Sequence, residues 1–170
     1  MYHKFLLLYT WFVRTIFLIL PDQPLVMRAR GCCYSFGMKN CGKNFQASGS
    51  VILRNLGNME FGSNVYLAPN VVINAIANVV LEDEVMIGFN SVLVSGNHSC
   101  VNGSYRFGDS LKAPILVGNG SWIGANCTVV AGASLAPSSL LAANSCLKGE
   151  NVIKGVYGGV PSRIIKKSTF

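Results

Sequence analysis

Residues 117–153 read VGNGSWIGANCTVVAGASLAPSSLLAANSCLKGENVI, and every sixth residue of this stretch is aliphatic. The series consists of Val117, Ile123, Val129, Leu135, Leu141, Leu147 and Ile153. An α-helix repeats its apolar positions about every 3.6 residues and a half-buried strand every two, so neither produces a sustained period of six. The period predicts short strands separated by corners, with three hexads making one turn of a coil.

The same pattern extends towards the N-terminus in groups of three positions. The groups begin at Cys41, Phe61 and Leu81, each twenty residues after the last, and after a polar interruption the turns shorten to eighteen residues. Thirteen of the sixteen hexad positions are Leu, Ile or Val, and stacked turns bury such side chains in one continuous column. We therefore predict an all-β, triangular parallel coil over residues 41–158. A β-sandwich, with turns about every 8–12 residues, fits this pattern poorly.

Small residues recur at fixed places in the hexads. Glycine follows the aliphatic position at 42, 62, 88, 118 and 124, and asparagine comes three residues after it at 64, 70, 90, 126 and 144. Ser, Cys, Ala or Val comes four residues after it. We expect glycine to supply unusual backbone angles at the corners, asparagine to occupy left-handed turn positions, and the small residues to fill the inside of each corner.

The composition indicates one folded domain. The chain has 170 residues, of which 51 % are hydrophobic and only 12 % charged, which excludes a disordered regulator. No uncharged apolar run reaches the roughly 18 residues of a membrane-spanning helix. The six cysteines follow no metal-binding or disulfide-framework spacing, so we expect free thiols in a reducing cytoplasm.

The net charge of +7 is concentrated at the two ends of the chain. Residues 1–43 carry six basic groups against Asp22, and residues 148–170 carry five against Glu150, whereas the middle is slightly acidic. This distribution suggests an anionic ligand or surface at the C-terminal end. Nucleic acid is not favoured, because the chain has no basic run with interleaved aromatics and no zinc-finger or helix-turn-helix pattern.

Four segments carry a resemblance to a known family. They are Val85–Asn90 (VMIGFN), Ser95–Ser99 (SGNHS), Ser121–Asn126 (SWIGAN) and Gly159–Lys166 (GVPSRIIK). In that order they resemble the hexapeptide-repeat acyltransferases, in particular the maltose and galactoside O-acetyltransferases and the bacterial surface-polysaccharide acetyltransferases. The resemblance covers residues 41–166 and implies a left-handed parallel β-helix, since spacing alone cannot reveal handedness. It also implies acetyl-CoA as acyl donor, a carbohydrate acceptor, a homotrimer and no metal ion.

His98 is the predicted catalytic residue. The other histidine, His3, lies in the apolar N-terminal segment, whereas His98 stands where the repeat gives way to a polar loop. Imidazole ordinarily titrates near neutral pH and suits a general base. Transfer to an alcohol needs such a base, because the hydroxyl loses its proton as its oxygen attacks the thioester carbonyl. The alternative is a loop histidine without a role. No Gly-x-Ser-x-Gly nucleophile motif is present.

Four residues are candidates for contact with the oxyanion or the acceptor. Asn78, twenty residues before His98, and the adjacent Asn97 are candidate donors to the oxyanion. Tyr105 and Arg106 are candidate sugar contacts, and a solvated loop is the alternative interpretation. Ala68 stands where the sugar acetyltransferases carry an acceptor-contacting asparagine, which argues against a maltose-like or galactoside-like acceptor.

The resemblance also assigns a binding groove for CoA. By family position, the backbone around Ala125 and Ala143 faces the pantetheine arm, and Trp122 lies beside it. The basic residues expected at the CoA phosphates are Lys148, Arg163 and Lys166, in agreement with the basic C-terminal end. The alternatives are a subunit-interface aromatic for Trp122 and a solubilising terminus for the basic residues.

We divide the chain into an apolar and basic segment 1–37, a β-helix 38–160 with an excursion loop 99–116, and a basic tail 161–170. Residues 5–20 are apolar but interrupted by Arg14, and a poor signal-peptide cleavage site follows them. Either this stretch packs as a helix on the coil or trimer, or it lies on the inner face of the membrane. Acetyl-CoA is cytoplasmic, so we expect a cytoplasmic enzyme in both cases.

Other functions of the predicted fold were compared with these residues. A γ-type carbonic anhydrase needs three imidazoles per site, which one usable histidine cannot supply. An N-acetyltransferase of an amino-sugar nucleotide would use the same base, and a non-catalytic scaffold would need neither His98 nor the Gly-x-Pro-x-Arg end. The resemblance therefore implies acetyl-CoA-dependent O-acetylation of a carbohydrate hydroxyl in bacterial surface polysaccharide (O-antigen, capsule or exopolysaccharide). N-acetylation and scaffolding remain the alternatives.

Overall fold

The computed structural model describes residues 2–167, so residue 1 and the last three residues of the predicted tail lie outside the described part. The chain forms a left-handed, parallel β-helix of about six turns, as predicted, preceded by two helices. The helices are α1 (Tyr2–Leu18) and α2 (Pro24–Ser35). A short 3-10 helix spans Leu56–Asn58.

Three parallel sheets form the faces of the coil. The first face contains β1 (Asn40–Cys41), β4 (Met59–Phe61), β7 (Val79–Leu81), β12 (Ile115–Val117), β15 (Ser134–Leu135) and β18 (Glu150–Asn151). The second face contains β2 (Gln46–Ala47), β5 (Tyr66–Leu67), β8 (Met86–Ile87), β13 (Trp122–Ile123), β16 (Leu140–Leu141) and β19 (Gly155–Gly158), with β20 (Arg163–Lys167) added antiparallel. The third face contains β3 (Ile52–Arg54), β6 (Val72–Asn74), β9 (Val92–Val94), β14 (Thr128–Val130) and β17 (Cys146–Leu147).

The corners between the faces form the edges of a triangular prism. We call the corners that follow second-face strands the second edge (residues 48–51, 68–71, 88–91, 124–127 and 142–145). Those that follow third-face strands are the third edge (residues 55–58, 75–78, 95–114, 131–133 and 148–149). The hairpin of β10 (Gly96–His98) and β11 (Ser110–Lys112) projects from the third edge. Its departure at Gly96 and the return of the chain to the first face at Ile115 differ from the predicted bounds 99–116.

The hexad positions point into the coil and form its core. Phe61, Leu81, Val117 and Leu135 stack in register on the first face, and each is at most 2 % exposed. The equivalent positions of the other two faces are also buried. One residue per hexad on each face therefore supplies the continuous apolar column that the period predicts.

The corner glycines serve a different purpose from the one expected. Gly88, Gly118 and Gly124 do not have positive φ angles. A Cβ on Gly118 would lie 2.5 Å from the backbone nitrogen of Pro137, and one on Gly124 would lie 2.7 Å from that of Ala143. Glycine is required there because successive turns stack too closely for a side chain, not because of its backbone freedom.

The asparagines provide the left-handed backbone, as expected. The asparagines at 64, 70, 90, 126 and 144 have φ between 56° and 62°, the αL region that asparagine tolerates better than most residues. Glu84 and Ser138 adopt the same conformation at equivalent positions of other corners.

Buried serines link successive turns by hydrogen bonds. The Ser91 hydroxyl donates to the Gly124 carbonyl at 2.7 Å and accepts from the Cys127 amide at 3.0 Å. In the same way, the Ser121 hydroxyl donates to the Ala136 carbonyl and accepts from the Ser139 amide, and both partners lie in the following turn. These residues therefore satisfy buried backbone groups in addition to filling the corners.

The last turn departs from the predicted repeat. Leu135 pairs with Asn151 and Leu141 with Tyr157, an offset of sixteen residues instead of eighteen. The prediction that Ile153 points inward is therefore wrong, since its side chain is 48 % exposed. Asn151 occupies the position under Leu135, and its amide donates to the carbonyls of Ser134 and Gly149. The shorter turn ends the column with polar contacts.

The two helices pack on the N-terminal turns of the coil. Leu6, Thr10 and Val13 of α1 are buried against the helix α2 and the first turn. The linker contains Pro21, and Pro24 stands in the first turn of α2, where proline is well tolerated. Within the described residues, neither helix is long and apolar enough to cross a membrane.

Candidate functional site

His98 lies at the end of β10, the outgoing arm of the hairpin, and pairs with Ser110 of the returning arm. Its side chain is exposed. The backbone N–H of His98 donates to the side-chain oxygen of Asn97 at 2.8 Å. The hairpin therefore presents an accessible imidazole on a backbone fixed by strand pairing.

The base of the hairpin is anchored by residues to which the sequence analysis assigned no role. Ser95 is buried, and its hydroxyl accepts from the Ala77 amide at 2.9 Å and donates to the Ala77 carbonyl at 2.8 Å. A Cβ on Gly96 would lie 2.7 Å from the Ile76 side chain. The Ser95-Gly96 pair before Asn97 could have predicted this anchor from the sequence. A serine that bonds to the backbone, followed by a residue without a side chain, is typical of a point where the chain leaves the coil in a tight turn.

The two candidate oxyanion donors lie in different surroundings. Asn97 is exposed beside His98. His98 is not stacked on Asn78 in the regular repeat, because His98 pairs with Ser110 in the hairpin. Ile115 continues the coil next to Asn78 instead, and its amide donates to the Asn78 carbonyl at 2.9 Å. The Asn78 side chain donates to Glu60 at 3.0 Å, and Glu60 also pairs with Lys39. The excursion of the chain breaks the twenty-residue stacking on which the Asn78 assignment depended.

The tip of the hairpin carries the two candidate acceptor contacts. Tyr105 is 66 % exposed and Arg106 is also exposed. The Arg106 guanidinium lies 5.6 Å from the centre of the Phe107 ring. This tip can offer aromatic surface and a cation to a polar ligand.

The candidate pantetheine groove runs along the second face and second edge. Trp122 is 48 % exposed and stands in register between Met86 and Leu140. Ala125 and Ala143 occupy the same corner in successive turns, and the carbonyl of Ala125 accepts from the amide of Asn144 at 2.9 Å. The three residues therefore line one continuous strip of the surface.

The Gly-x-Pro-x-Arg segment docks at the C-terminal end of that strip. The amide of Gly159 donates to the Ser145 hydroxyl at 3.0 Å, and the amide of Ser162 donates to the Cys146 carbonyl at 2.8 Å. Arg163 and Lys166 then extend along β20 as exposed residues paired with Gly158 and Val156. Lys148 is exposed as well and begins the third-edge corner that follows β17.

Within one chain, the candidate base and the candidate donor groove lie on different edges of the coil. His98 projects from the third edge, whereas Trp122, Ala125 and Ala143 follow the second face and edge. The third face lies between these edges in every turn. Ala68 lies on the second edge and is only 1 % exposed, so its side chain offers no contact to an acceptor.

Two of the cysteines, Cys41 and Cys127, are poorly suited to nucleophilic attack. Burial raises the pKa of Cys41 to about 11 and raises that of Cys127 above its ordinary value, which disfavours their nucleophilic thiolates. Between residues 2 and 167 we find no group of three or more His, Cys, Asp or Glu side chains that could hold a metal ion.

Two curated relatives are similar to this chain in sequence. The chain is 28 % identical over 152 residues to WbbJ of Escherichia coli K12, whose name assigns it to lipopolysaccharide biosynthesis as an O-acetyltransferase. That alignment covers 79 % of this chain and 76 % of WbbJ. The galactoside O-acetyltransferase of Escherichia coli K12 is 28 % identical over 110 residues, which cover 65 % of this chain but only 54 % of that protein. No protein-family model matches the chain.

Solved structures share the fold. A hexapeptide-repeat acetyltransferase from Vibrio cholerae, in complex with acetyl-CoA, superimposes with a TM-score of 0.82 at 20 % identity, covering 96 % of this chain and 87 % of that one. AntD, an N-acyltransferase from Bacillus cereus, gives a TM-score of 0.62 at 15 % identity, covering 79 % of this chain and 86 % of that one. The chain is thus an acetyltransferase built on a left-handed β-helix and a homologue of WbbJ and of the galactoside O-acetyltransferase.

Proposed function

We propose that this enzyme transfers the acetyl group of acetyl-CoA to a hydroxyl of a carbohydrate in bacterial surface polysaccharide, with His98 as general base. The observation that carries the proposal is the 152-residue similarity to WbbJ, which includes most of the coil. The exposed His98, at the end of the outgoing arm of the hairpin, can supply the base that such a reaction needs.

The proposed reaction is a direct transfer without an acyl-enzyme. The imidazole of His98 accepts the proton of the acceptor hydroxyl while the hydroxyl oxygen forms a bond to the thioester carbonyl carbon. The carbon–sulfur bond then breaks, and the imidazolium returns the proton to the sulfur of CoA. Asn97, exposed next to His98, is the better placed of the two candidate oxyanion donors, because Asn78 already bonds to Glu60.

The separation of His98 from the donor groove supports assembly into a homotrimer. In a cyclic trimer, the third edge of one chain can face the second edge of its neighbour. We propose that His98 of one chain acts on an acetyl-CoA bound along Trp122, Ala125 and Ala143 of the next. Arg163 and Lys166 then bind the CoA phosphates at the C-terminal end of the groove. Lys148, on the third edge, would contribute from the chain that supplies His98.

For its location we propose the cytoplasm, where acetyl-CoA is made, with residues 5–20 in contact with the inner face of the membrane. The apolar residues that α1 leaves exposed support this contact. A polysaccharide precursor assembled at that membrane would then be close to the active site.

A thiol-release assay tests the chemistry. Purified enzyme is incubated with acetyl-CoA and a panel of sugars, nucleotide sugars and oligosaccharides, and free CoA is measured. We expect release to depend on a hydroxyl acceptor, with a new acetyl ester visible by mass spectrometry. Release only with amino-sugar nucleotides and formation of an amide would instead support N-acetylation. N-acetylation is the alternative that the structural similarity to AntD supports, although that similarity covers less of this chain than the similarity to the Vibrio cholerae acetyltransferase. No release with any acceptor would favour a scaffold.

A further inference from the structure

Helix α1 is apolar on both its inner and its outer side. Its inner side packs on α2 and the coil through Leu6, Thr10 and Val13. The outer face, which includes the residue after the helix, is between 48 % and 86 % exposed and consists of Phe5, Leu8, Trp11, Phe12, Ile16 and Ile19. A helix that is apolar all round is normally covered on every side, and a contiguous exposed patch of this kind marks an interaction surface.

A basic pocket lies beside this outer face. The pocket has a volume of about 250 Å³ and is lined by Arg14 and Arg54, together with Trp11, Tyr34 and neighbouring apolar residues. The Nε atom of Arg14 is buried and lacks a hydrogen-bond partner among residues 2–167. Neither arginine forms an ion pair within that range. Two uncompensated guanidinium groups in a small pocket favour an anionic ligand with several oxygens.

No carboxylate on the helices opposes these charges. Asp22 is the acidic residue of positions 1–43, and it is already paired with Arg30 at 3.0 Å. Lys4 and Arg28 add further exposed positive charge to the helical segment. If a second copy packed face to face here, arginine would meet arginine without a counter-charge. A bilayer offers both the apolar interior and the phosphates that this surface lacks.

We propose that the outer face of α1 lies in the plane of an anionic bilayer surface and that the Arg14–Arg54 pocket binds a lipid phosphate. The helix is too short to span, so it lies among the headgroups with its aromatic residues at the acyl boundary. This inference deepens the proposed location of the enzyme and does not depend on its proposed chemistry. Thiol release by the lipid-free enzyme tests the chemistry, whereas vesicle binding without substrate tests the membrane site.

Co-sedimentation of the full chain with vesicles is the direct experiment. We expect binding to an equimolar mixture of phosphatidylcholine and phosphatidylglycerol, weaker binding to phosphatidylcholine alone, and loss of this difference at high salt. The double variant L8S/F12S should lower partitioning by about tenfold or more. Arg14→Gln and Arg54→Gln should each lower binding to the mixed vesicles about fivefold and have a smaller effect on binding to neutral vesicles, whose phosphates are neutralised by choline.

Matched substitutions elsewhere are the controls. Val152→Ser removes an equally exposed apolar residue, and Lys112→Gln removes a charge on the hairpin. Both should bind vesicles like the parent. A Trp122→Phe chain keeps Trp11 as its one indole, and its emission should shift to the blue and be quenched by bromine-labelled lipid. This measurement keeps the test valid if L8S/F12S does not fold.

Three outcomes would overturn the proposal. In the first outcome, the parent chain fails to bind mixed vesicles. In the second, the L8S/F12S, Arg14→Gln and Arg54→Gln variants bind mixed vesicles as well as the parent does. In the third outcome, inorganic phosphate at matched ionic strength abolishes vesicle binding, which would make the pocket a site for free anions. Absence of vesicle binding together with a smaller oligomer for L8S/F12S would assign the outer face to a second copy of the chain.

Discussion

The guanidinium of Arg30 and the carboxylate of Asp22 form a 3.0 Å ion pair that joins both helices to the first turn of the coil. Arg30 is fully buried and also donates to the carbonyls of Ala47 at 2.6 Å and Phe17 at 3.1 Å. Asp22 accepts in addition from the Ser48 hydroxyl and from the Gly49 amide. The helix α1, the linker, α2 and the coil therefore meet at one pair of side chains.

Asp22→Asn should destabilise the protein. Loss of the carboxylate leaves the buried Arg30 without its counter-charge, and since the Asp22 side chain is 35 % exposed we expect a cost of about 1–2 kcal/mol, below that of a fully buried pair. Thermal or urea unfolding measures it. Lys39→Gln breaks the exposed Lys39–Glu60 pair and should change stability by less than about 0.5 kcal/mol. Equal stability of Asp22→Asn and the parent would show that the pair is dispensable.

The contribution of Asp22 should depend on pH. Burial acts to raise its pKa, but the hydrogen bonds from Ser48, Gly49 and Arg30 outweigh burial and lower it below the ordinary value. A lowered folded-state pKa stabilises the protein above the unfolded pKa of about 3.9, and this stability is lost as the pH falls through the folded value. The difference in Tm between the parent and Asp22→Asn should therefore stay constant from about pH 5 to 8 and shrink below about pH 4. A difference that grows on acidification would contradict this sign.

Gly118→Ala tests the close stacking of the turns. The added methyl would lie 2.5 Å from the backbone of Pro137, and we expect a loss of about 2–3 kcal/mol from overpacking. Gly103→Ala is the matched control, because it has a positive φ but open space around it. That variant should lose about 1 kcal/mol or less from backbone conformation alone. If Gly118→Ala lost no more stability than Gly103→Ala, close stacking of the turns would not explain the corner glycines.

His98→Ala should reduce kcat by about 10²–10⁴ and leave the affinity for acetyl-CoA nearly unchanged, because the imidazole is proposed to act on the acceptor proton and not on the donor. Steady-state kinetics and calorimetric titration with CoA separate the two effects. Asp109→Asn, an exposed substitution on the same hairpin, should retain the parent rate. An unchanged kcat in His98→Ala would mean that the proton leaves by another route.

Arg163→Ala should raise KM for acetyl-CoA about tenfold or more with a smaller effect on kcat. A charge-assisted bond to a phosphate is worth roughly 1.5–3 kcal/mol. If the partner is the ribose 3′-phosphate, the defect should shrink when a dephospho-CoA thioester replaces acetyl-CoA. Arg28→Ala removes an exposed arginine from the helical segment and should leave KM unchanged. The same KM in Arg163→Ala and the parent would leave the basic end as a solubility feature.

Mixing the His98→Ala and Arg163→Ala variants tests whether the active site is shared between chains. Each variant alone is expected to be nearly inactive at acetyl-CoA concentrations below the raised KM. In mixed trimers, some interfaces combine an intact His98 from one chain with an intact Arg163 from its neighbour, so co-refolding should restore part of the activity. Sedimentation should show a trimer for the parent and both variants. A monomer, or mixtures no more active than their components, would place the whole site in one chain.

The period of six, the aliphatic column and the asparagine corners could all be predicted from the sequence, because each depends on contacts that repeat every hexad. The candidate roles of His98, Trp122 and the Gly-x-Pro-x-Arg end depended on the resemblance to the O-acetyltransferases and stay predictions. The sequence also indicated an apolar stretch at residues 5–20 that packs on the coil or trimer or contacts a membrane. It could not decide which of those side chains face the coil, because that depends on where α2 and the first turn lie.

Only the tertiary structure decided how successive turns of the coil stack and pair with one another. Stacking distance, which no single hexad specifies, explains why Gly118 and Gly124 must lack a side chain. Pairing of the returning strand with residues far earlier in the chain places Ile115 above Asn78, so His98 is not stacked on Asn78 in the regular repeat. The shortened last turn turns Ile153 outward and puts Asn151 in its place. These features follow from long-range hydrogen bonds and packing, and a local repeat cannot reveal them because the residues that decide them lie sixteen to thirty-six positions away.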